Sequence, residues 1–190
     1  MECFYNMLYH IGTQNIETER LLLRKFKTED AQMMFDNWAK DPENVKYLSW
    51  QAHRNVNDTY TILDKWLEEY KNANCYRWCI TLKDTSEVIG GIDVIKIIEN
   101  RSTCEIGYVV TKRLWNRGIM TEALSAVIKY LFIKVNFNRI QLRHLTENPA
   151  SGKVMLKCGL KFEGILRQYG LKNNGEHCDS AIYSILRSEF

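Results

Sequence analysis

The chain has 190 residues, 45% of them hydrophobic and 26% charged, and a formal net charge of +3. That length suits one domain with a substantial core, and the composition excludes a disordered chain. A pI near 8.5 falls short of the concentrated basic footprint of a nucleic-acid binder, so a local anion site fits better.

In chain order, Glu17-Thr18-Glu19-Arg20 leads into a first strand, Leu21-Leu22-Leu23-Arg24. Thr28-Glu29-Asp30 follows as an N-cap with acids in the first turn. Ala31, Met34, Phe35 and Trp38 then recur at helical spacing until Asp41-Pro42 ends the run. The segment Tyr47-Leu48-Ser49-Trp50 is an aromatic connection to a second helix, which starts near Asn57-Asp58 with Tyr60, Leu63, Trp66, Leu67 and Tyr70 on one face.

Alternation of Tyr76, Trp78, Ile80 and Leu82 predicts a strand from Cys75 to Leu82, a turn at Lys83-Asp84-Thr85-Ser86, and a second strand from Val88 to Ile98 with a bulge marked by Gly90-Gly91. A third strand, Thr103 to Thr111, completes the meander. It runs into Trp115-Asn116-Arg117-Gly118 and then a helix with Ala123, Leu124, Val127, Ile128 and Leu131 toward the core. The remainder alternates faster: strand Arg139 to Leu145, helix Pro149 to Lys157 stopped by Gly159, strand Leu160 to Leu166, a hairpin at Asn173-Asn174-Gly175, and a closing strand near Asp179 to Leu186. The fold class is α+β, a mixed sheet on a central antiparallel meander flanked by about four helices, rather than repeated βαβ units.

The strand–glycine–helix junction at Gly118 is the most informative stretch. Backbone N–H groups at a helix N-terminus, with the positive end of its dipole, bind anionic oxygens, and Gly118 permits close approach. The same pattern also serves simple chain reversal. A P-loop would need Gly-Lys-Ser/Thr, and a dinucleotide fingerprint three glycines in a βαβ unit; neither is present.

The six cysteines (Cys3, Cys75, Cys79, Cys104, Cys158, Cys178) lack paired metal spacing, and Met1 to Ile16 has no uninterrupted apolar core. On a strand, Cys75 and Cys79 lie roughly 13 Å apart, too far to share an ion. No apolar run approaches the ~18 residues of a membrane span. The expectation is a soluble cytoplasmic protein with no metal and no membrane or nucleic-acid partner. An N-terminal extension, 1–16, precedes a single domain, 17–190.

Four pieces in order resemble the GNAT superfamily of acyl-CoA-dependent N-acetyltransferases, and within it the Rim-type (RimJ- and RimL-like) ribosomal-protein N-terminal acetyltransferases. They are Glu17-Thr18-Glu19-Arg20-Leu21-Leu22-Leu23-Arg24, Glu105-Ile106-Gly107-Tyr108, Trp115-x-x-Gly118-x-x-Thr121-Glu122-Ala123, and Asn148-Pro149-Ala150-Ser151 with Lys157-Cys158-Gly159-Leu160-Lys161-Phe162-Glu163-Gly164. The resemblance implies a GNAT-like domain that uses acetyl-CoA as acyl donor. It places the backbone of Val109 and Val110 beside the pantetheine arm as an added strand. It places amides from Trp115, Asn116, Arg117, Gly118, Ile119, Met120 and Thr121 around the pyrophosphate, Asn148 on the pantetheine and Ser151 near the sulfur. Asn148-Pro149 also reads as an ordinary helix cap with Pro in the first turn.

Two departures matter. Met120 stands where the usual loop ends in Gly or Ala, and either narrows the phosphate approach or only packs. Met155 stands where many relatives carry a tyrosine acid, so that role is not transferred. Acetyl transfer needs a neutral amine, stabilisation of the oxyanion and a proton for the leaving thiolate. A backbone N–H near Val110 is the natural oxyanion donor. Glu105 is the candidate base, or else a cross-strand carboxylate. Ser151 is the candidate proton donor to sulfur, or else a cap. Trp50, Tyr47 and Tyr169 flank the amine side by resemblance, and Trp50 is otherwise core.

The expected activity is acetyl transfer to a primary amine, foremost a protein or peptide α-amine, by a monomer or homodimer. Acetylation of small amines such as antibiotics or polyamines, and a non-catalytic CoA-binding module, are the alternatives.

Overall fold

The computed structural model describes residues 7–190; Cys3 and the first six positions of the expected extension lie outside the described residues. Residues 7–16 lie against the domain: Gly12 O accepts from Tyr130 Oη at 2.6 Å, and Gln14 O from Trp78 Nε1 at 2.7 Å.

Among the described residues, eight strands form one sheet: β1 (Ile16–Glu17), β2 (Leu21–Arg24), β3 (Arg77–Leu82), β4 (Val88–Ile98), β5 (Thr103–Val110), β6 (Arg139–Leu145), β7 (Lys161–Leu171) and β8 (His177–Leu186). Their spatial order is β1-β2-β3-β4-β5-β6-β8-β7. Every neighbouring pair is antiparallel except β5 and β6. The helices are α1 (Ala31–Met34), which continues as a wider turn through Phe35–Ala39, α2 (Pro42–Val45), α3 (Val56–Glu69), α4 (Ile119–Tyr130) and α5 (Pro149–Lys157). The mixed, mainly antiparallel α+β architecture read from the sequence is the observed one.

Period-2 alternation along the central strands supplies two apolar faces, and each is covered by helices. On one face Trp78, Ile80, Ile92 and Ile106 pack with Ala123, Leu124, Val127 and Ile128 of α4 and Met155 of α5. On the other, Cys79 and Val88 pack with Ala31, Met34 and Trp38 and with Leu63 of α3. β3 is therefore buried on both sides. The five core positions expected on the helix after Gly118 are all buried. On α3 the inward face is Thr59, Leu63, Trp66 and Tyr70, and Tyr60 is exposed, contrary to expectation.

Local chemistry explains where elements begin. Asn55 Oδ1 accepts from the amides of Asn57 and Asp58 and starts α3. Thr28, expected to cap the first helix, does not; Asp30, itself buried, reaches back to accept from Lys27 N at 2.8 Å while Arg24 grips it with two bonds of 2.7 and 2.8 Å. Helix α2 has no counterpart in the sequence reading, since four residues cannot display a period. Asp41 accepts from Glu43 N at 3.0 Å, and Pro42 sits in its first turn.

Two irregularities shape the site. Opposite Ile80 and Thr81, β4 carries an extra residue at Ile89 beside Gly90, the bulge the glycine pair marks. A second, at Ile95, was not foreseen. Gly90 is required by close approach: a Cβ there would stand 2.3 Å from the Val109 carbonyl oxygen. Gly90→Ala is expected to cost about 2 kcal/mol or more, lowering the thermal midpoint by roughly 4–8 °C in a melting experiment.

Candidate active site

The parallel pairing of β5 with β6 lasts only from Thr103 to Glu105, against Arg139 to Gln141. Beyond it the strands part. Ser102 O accepts from the amides of Asn138 and Arg139 on the β6 side, whereas Thr111 N donates to Ile89 O on the β4 side. Backbone groups alternate sides along a strand, so those of Ile106, Tyr108 and Val110 face the gap. Val109 lies in register with Gly91 of β4, and its backbone faces that strand.

The gap is bordered by α5. Tyr108 crosses it, its hydroxyl donating to Ser151 O at 3.2 Å, and burial raises that phenol's pKa. Asn148 does not cap α5 with its side-chain oxygen; its Nδ2 donates to Ser151 Oγ at 3.1 Å. The Ser151 hydroxyl proton is thereby turned away from Asn148. His144 Nδ1 lies 2.8 Å from Leu145 O. A carbonyl can only accept, so Nδ1 carries a proton, and Nε2 is buried without a hydrogen-bond partner among the described residues.

The loop at the head of α4 is held from a distance. Gly118 caps α4 in a left-handed conformation, φ 75°, with Asn116 at φ 61° before it. Arg20 donates to Arg117 O at 3.0 Å and to Glu122 Oε2 at 2.6 Å, while Thr18 bonds Glu122 Oε1 at 2.5 Å. Burial works to raise the Glu122 pKa, but the bonds from Thr18 and Arg20 outweigh it and hold the carboxyl below its ordinary range. Arg20 thus places a guanidinium 3.5 Å from where a Cβ on Gly118 would be.

Ile119 and Met120 are buried, so only their backbone can meet a ligand; Met120 packs into the core. Trp115 is exposed, yet its Nε1 donates to Val110 O at 3.0 Å. Asn44 of α2, not singled out from sequence, also donates to Val110 O, at 3.2 Å, and accepts from Lys112 N at 2.6 Å.

On the opposite side of the sheet the gap opens into a cavity of about 500 Å³. Tyr47, Trp50, Tyr169, Glu105 and Val109, all expected near the site, line it together. Glu105 is buried, its carboxylate bound by Arg143 Nε at 2.6 Å and Gln141 Nε2 at 3.2 Å. Arg143 stacks on the Tyr169 ring at 4.9 Å. Sequence reasoning missed Asp93 and Arg77 in this wall; an aspartate inside an apolar strand is itself a signal, since strands are depleted in it. Asp93 is raised to about 6 by burial, against the opposing pull of Arg77 Nη2 at 3.5 Å. Among the described residues no helix is long and apolar enough to cross a membrane.

The profile of the Acetyltransferase (GNAT) domain matches residues 20–161. The chain is 31% identical over 172 residues to the uncharacterized N-acetyltransferase YoaA of Bacillus subtilis (strain 168), covering 90% of this chain and 96% of that protein. It is 26% identical over 161 residues to the [ribosomal protein uS5]-alanine N-acetyltransferase of Escherichia coli (strain K12), covering 81% of each. The crystal structure of a GNAT-family acetyltransferase from Bacillus anthracis superposes with a TM-score of 0.81 at 29% identity, over 93% of this chain and 100% of that one.

The Arg20–Glu122 clamp carries a pH signature. Because the folded state depresses the Glu122 pKa, its stabilisation is present above the ordinary glutamate pKa and disappears as pH falls through the depressed value. Glu122→Gln is expected to cost about 1–2 kcal/mol near pH 7. Denaturant melts should show that difference shrinking toward zero in acid.

Proposed function

The chain belongs to the GNAT family of N-acetyltransferases, which use acetyl-CoA, and from that premise we propose that it acetylates the α-amino group of a protein or peptide N-terminus. The observation that carries this reading is the two-sided edge at Tyr108 and Val110. One side communicates with the anion loop and α5, the other with the aromatic cavity. An acyl donor and an amine can thus meet across one strand without sharing an entrance.

The residues present fit acetyl-CoA. The first-turn amides of α4 and the nearby Arg20 guanidinium suit a pyrophosphate, and the open edge of β5 suits an amide-bearing arm. The bound donor supplies an activated thioester carbonyl. The Val110 N–H, on the open side of the strand, is our oxyanion donor. The peptide that follows it is held by the two bonds that Asn44 and Trp115 give to Val110 O. Ser151, its oxygen already accepting from Asn148, is oriented to give its proton toward the departing sulfur. Much of the rate comes from holding the reactants in line.

The preference for an α-amine rests on the cavity. Of its carboxylates, Glu105 is closely paired with Arg143 and Asp93 only loosely with Arg77, which leaves room for one positive charge and disfavours a polycation such as a polyamine. The aromatic walls and broad mouth suit a peptide end, and the E. coli relative acts on the alanine of ribosomal protein uS5.

Incubation with acetyl-CoA while following thiol release, with peptides beginning Ser, Ala or Thr beside aminoglycosides and polyamines, tests the proposal. Turnover of peptides is expected; turnover confined to the small amines overturns the α-amine reading, and no thermal stabilisation by acetyl-CoA overturns the donor site. Ser151→Ala is expected to lower kcat on the order of a hundredfold, with the melting shift given by acetyl-CoA retained. An unchanged kcat would remove Ser151 from the proton path.

A further inference from the structure

The acceptor's charge needs a counter-charge, and the cavity offers it unevenly. Glu105 is fully engaged by Arg143 and Gln141. Arg77 gives its close bond to Glu69 of α3, at 2.5 Å, and stacks on Trp66 at 4.6 Å. It reaches Asp93 only at 3.5 Å. Asp93 is therefore the cavity carboxylate with the weakest compensation, and 27% of its side chain is open.

Position strengthens the case. Asp93 pairs across β4 and β5 with Gly107, one residue before Tyr108. With no side chain at Gly107, the carboxylate and the Ile95 side chain both come close to that stretch of β5: a Cβ there would stand 3.7 Å from Asp93 Oδ1 and 3.1 Å from Ile95 Cγ2. The Ile95 bulge sits on the same stretch of β4. Charged groups facing Asp93 are Arg77 from β3 and, behind it, Glu69 from α3; Glu105 and Arg143 line the same cavity from β5 and β6.

We propose that Asp93 is the docking site and proton acceptor for a single primary ammonium, placing it against Gly107 for attack at the edge of β5, while Glu105 serves to position Arg143. This rests on the acetyltransfer reading above. Proton balance follows directly. An ammonium becoming an amide loses two protons as the C–N bond forms and the C–S bond breaks. The first passes to Asp93 and on to water, and the second replaces the proton that Ser151 gives to the departing thiolate. A carboxyl raised to about 6 by its burial beside Arg77 is ionised and still basic at neutral pH.

The test uses alaninamide, an ammonium probe, and lactamide, its neutral analogue, titrated into the full chain without acetyl-CoA. The indoles of Trp38, Trp50 and Trp66 in the cavity wall report binding by fluorescence. Alaninamide should bind more tightly as pH rises through about 6, because Asp93 is then ionised while the probe stays cationic. Asp93→Asn should weaken it by about tenfold or more and abolish the pH limb. Lactamide should show neither effect, and Glu105→Gln should keep the limb.

With Ser-, Ala- or Thr-initiated peptides, Asp93→Asn should also lower kcat/KM and remove its acidic limb, leaving the melting shift by acetyl-CoA intact. Equal alaninamide affinity in the Asn variant, survival of its pH limb, or no alaninamide binding by the native chain would overturn the inference. Loss of stabilisation by acetyl-CoA in the native chain would instead overturn the donor site, and the alaninamide titration would still decide on Asp93. Asp93→Asn is nearly isosteric and removes a buried charge, so it should fold; a melt of that variant checks this.

Discussion

Everything at the site depends on two strands that stop pairing. β5 and β6 share three residues of parallel ladder and then separate. β6 remains held on its far side by β8 along its whole length, Arg139 through Leu145, while β5 remains held by β4. An unpaired backbone edge inside a protein is costly unless something satisfies it. Here Asn44 and Trp115 satisfy Val110 O, and the Tyr108 side chain ties the strand to α5. The remaining edge is where the proposed donor would pair.

The split also separates two chemistries on the two faces of one sheet. Side chains that follow the core alternation of β5 and β6, such as Tyr108 and His144, belong to the face of α4 and α5. Glu105, Gly107 and Arg143 belong to the face of α1 and α3, where aromatic rings and ion pairs make the cavity wall. Acidic and basic groups on that face are arranged in pairs, and only local differences in distance decide which of them keeps usable charge.

The sequence was most informative where punctuation and periodicity coincide. Pro149 and Gly159 bracket α5, and the β4 span, Val88–Ile98, follows from its apolar run between two turn signals. The short pieces escaped: β1 has two residues and α2 four, too few for any period. The residues proposed for the donor side could be named from the sequence because a motif places them on one loop and one helix start. Asp93 and Asn44 could not, because Asp93 meets Gly107 and Arg77 across strands, and Asn44 a strand end 66 residues later. Cross-strand register is a tertiary property that local pattern does not encode. Glu105 was visible as a residue, but its engagement by Arg143 was not.

The clamp between Arg20 and the head of α4 joins positions 97 to 102 residues apart. The turn at the head of α4, more than halfway along the chain, is thus held by the residue just before β2. Loop-closure entropy must be overcome before such a contact forms. A nascent chain on which only the first half has emerged has the arginine without its loop. The proposed donor site would then exist only in the finished domain, and a ligand that binds only the finished domain draws the folding equilibrium toward completion.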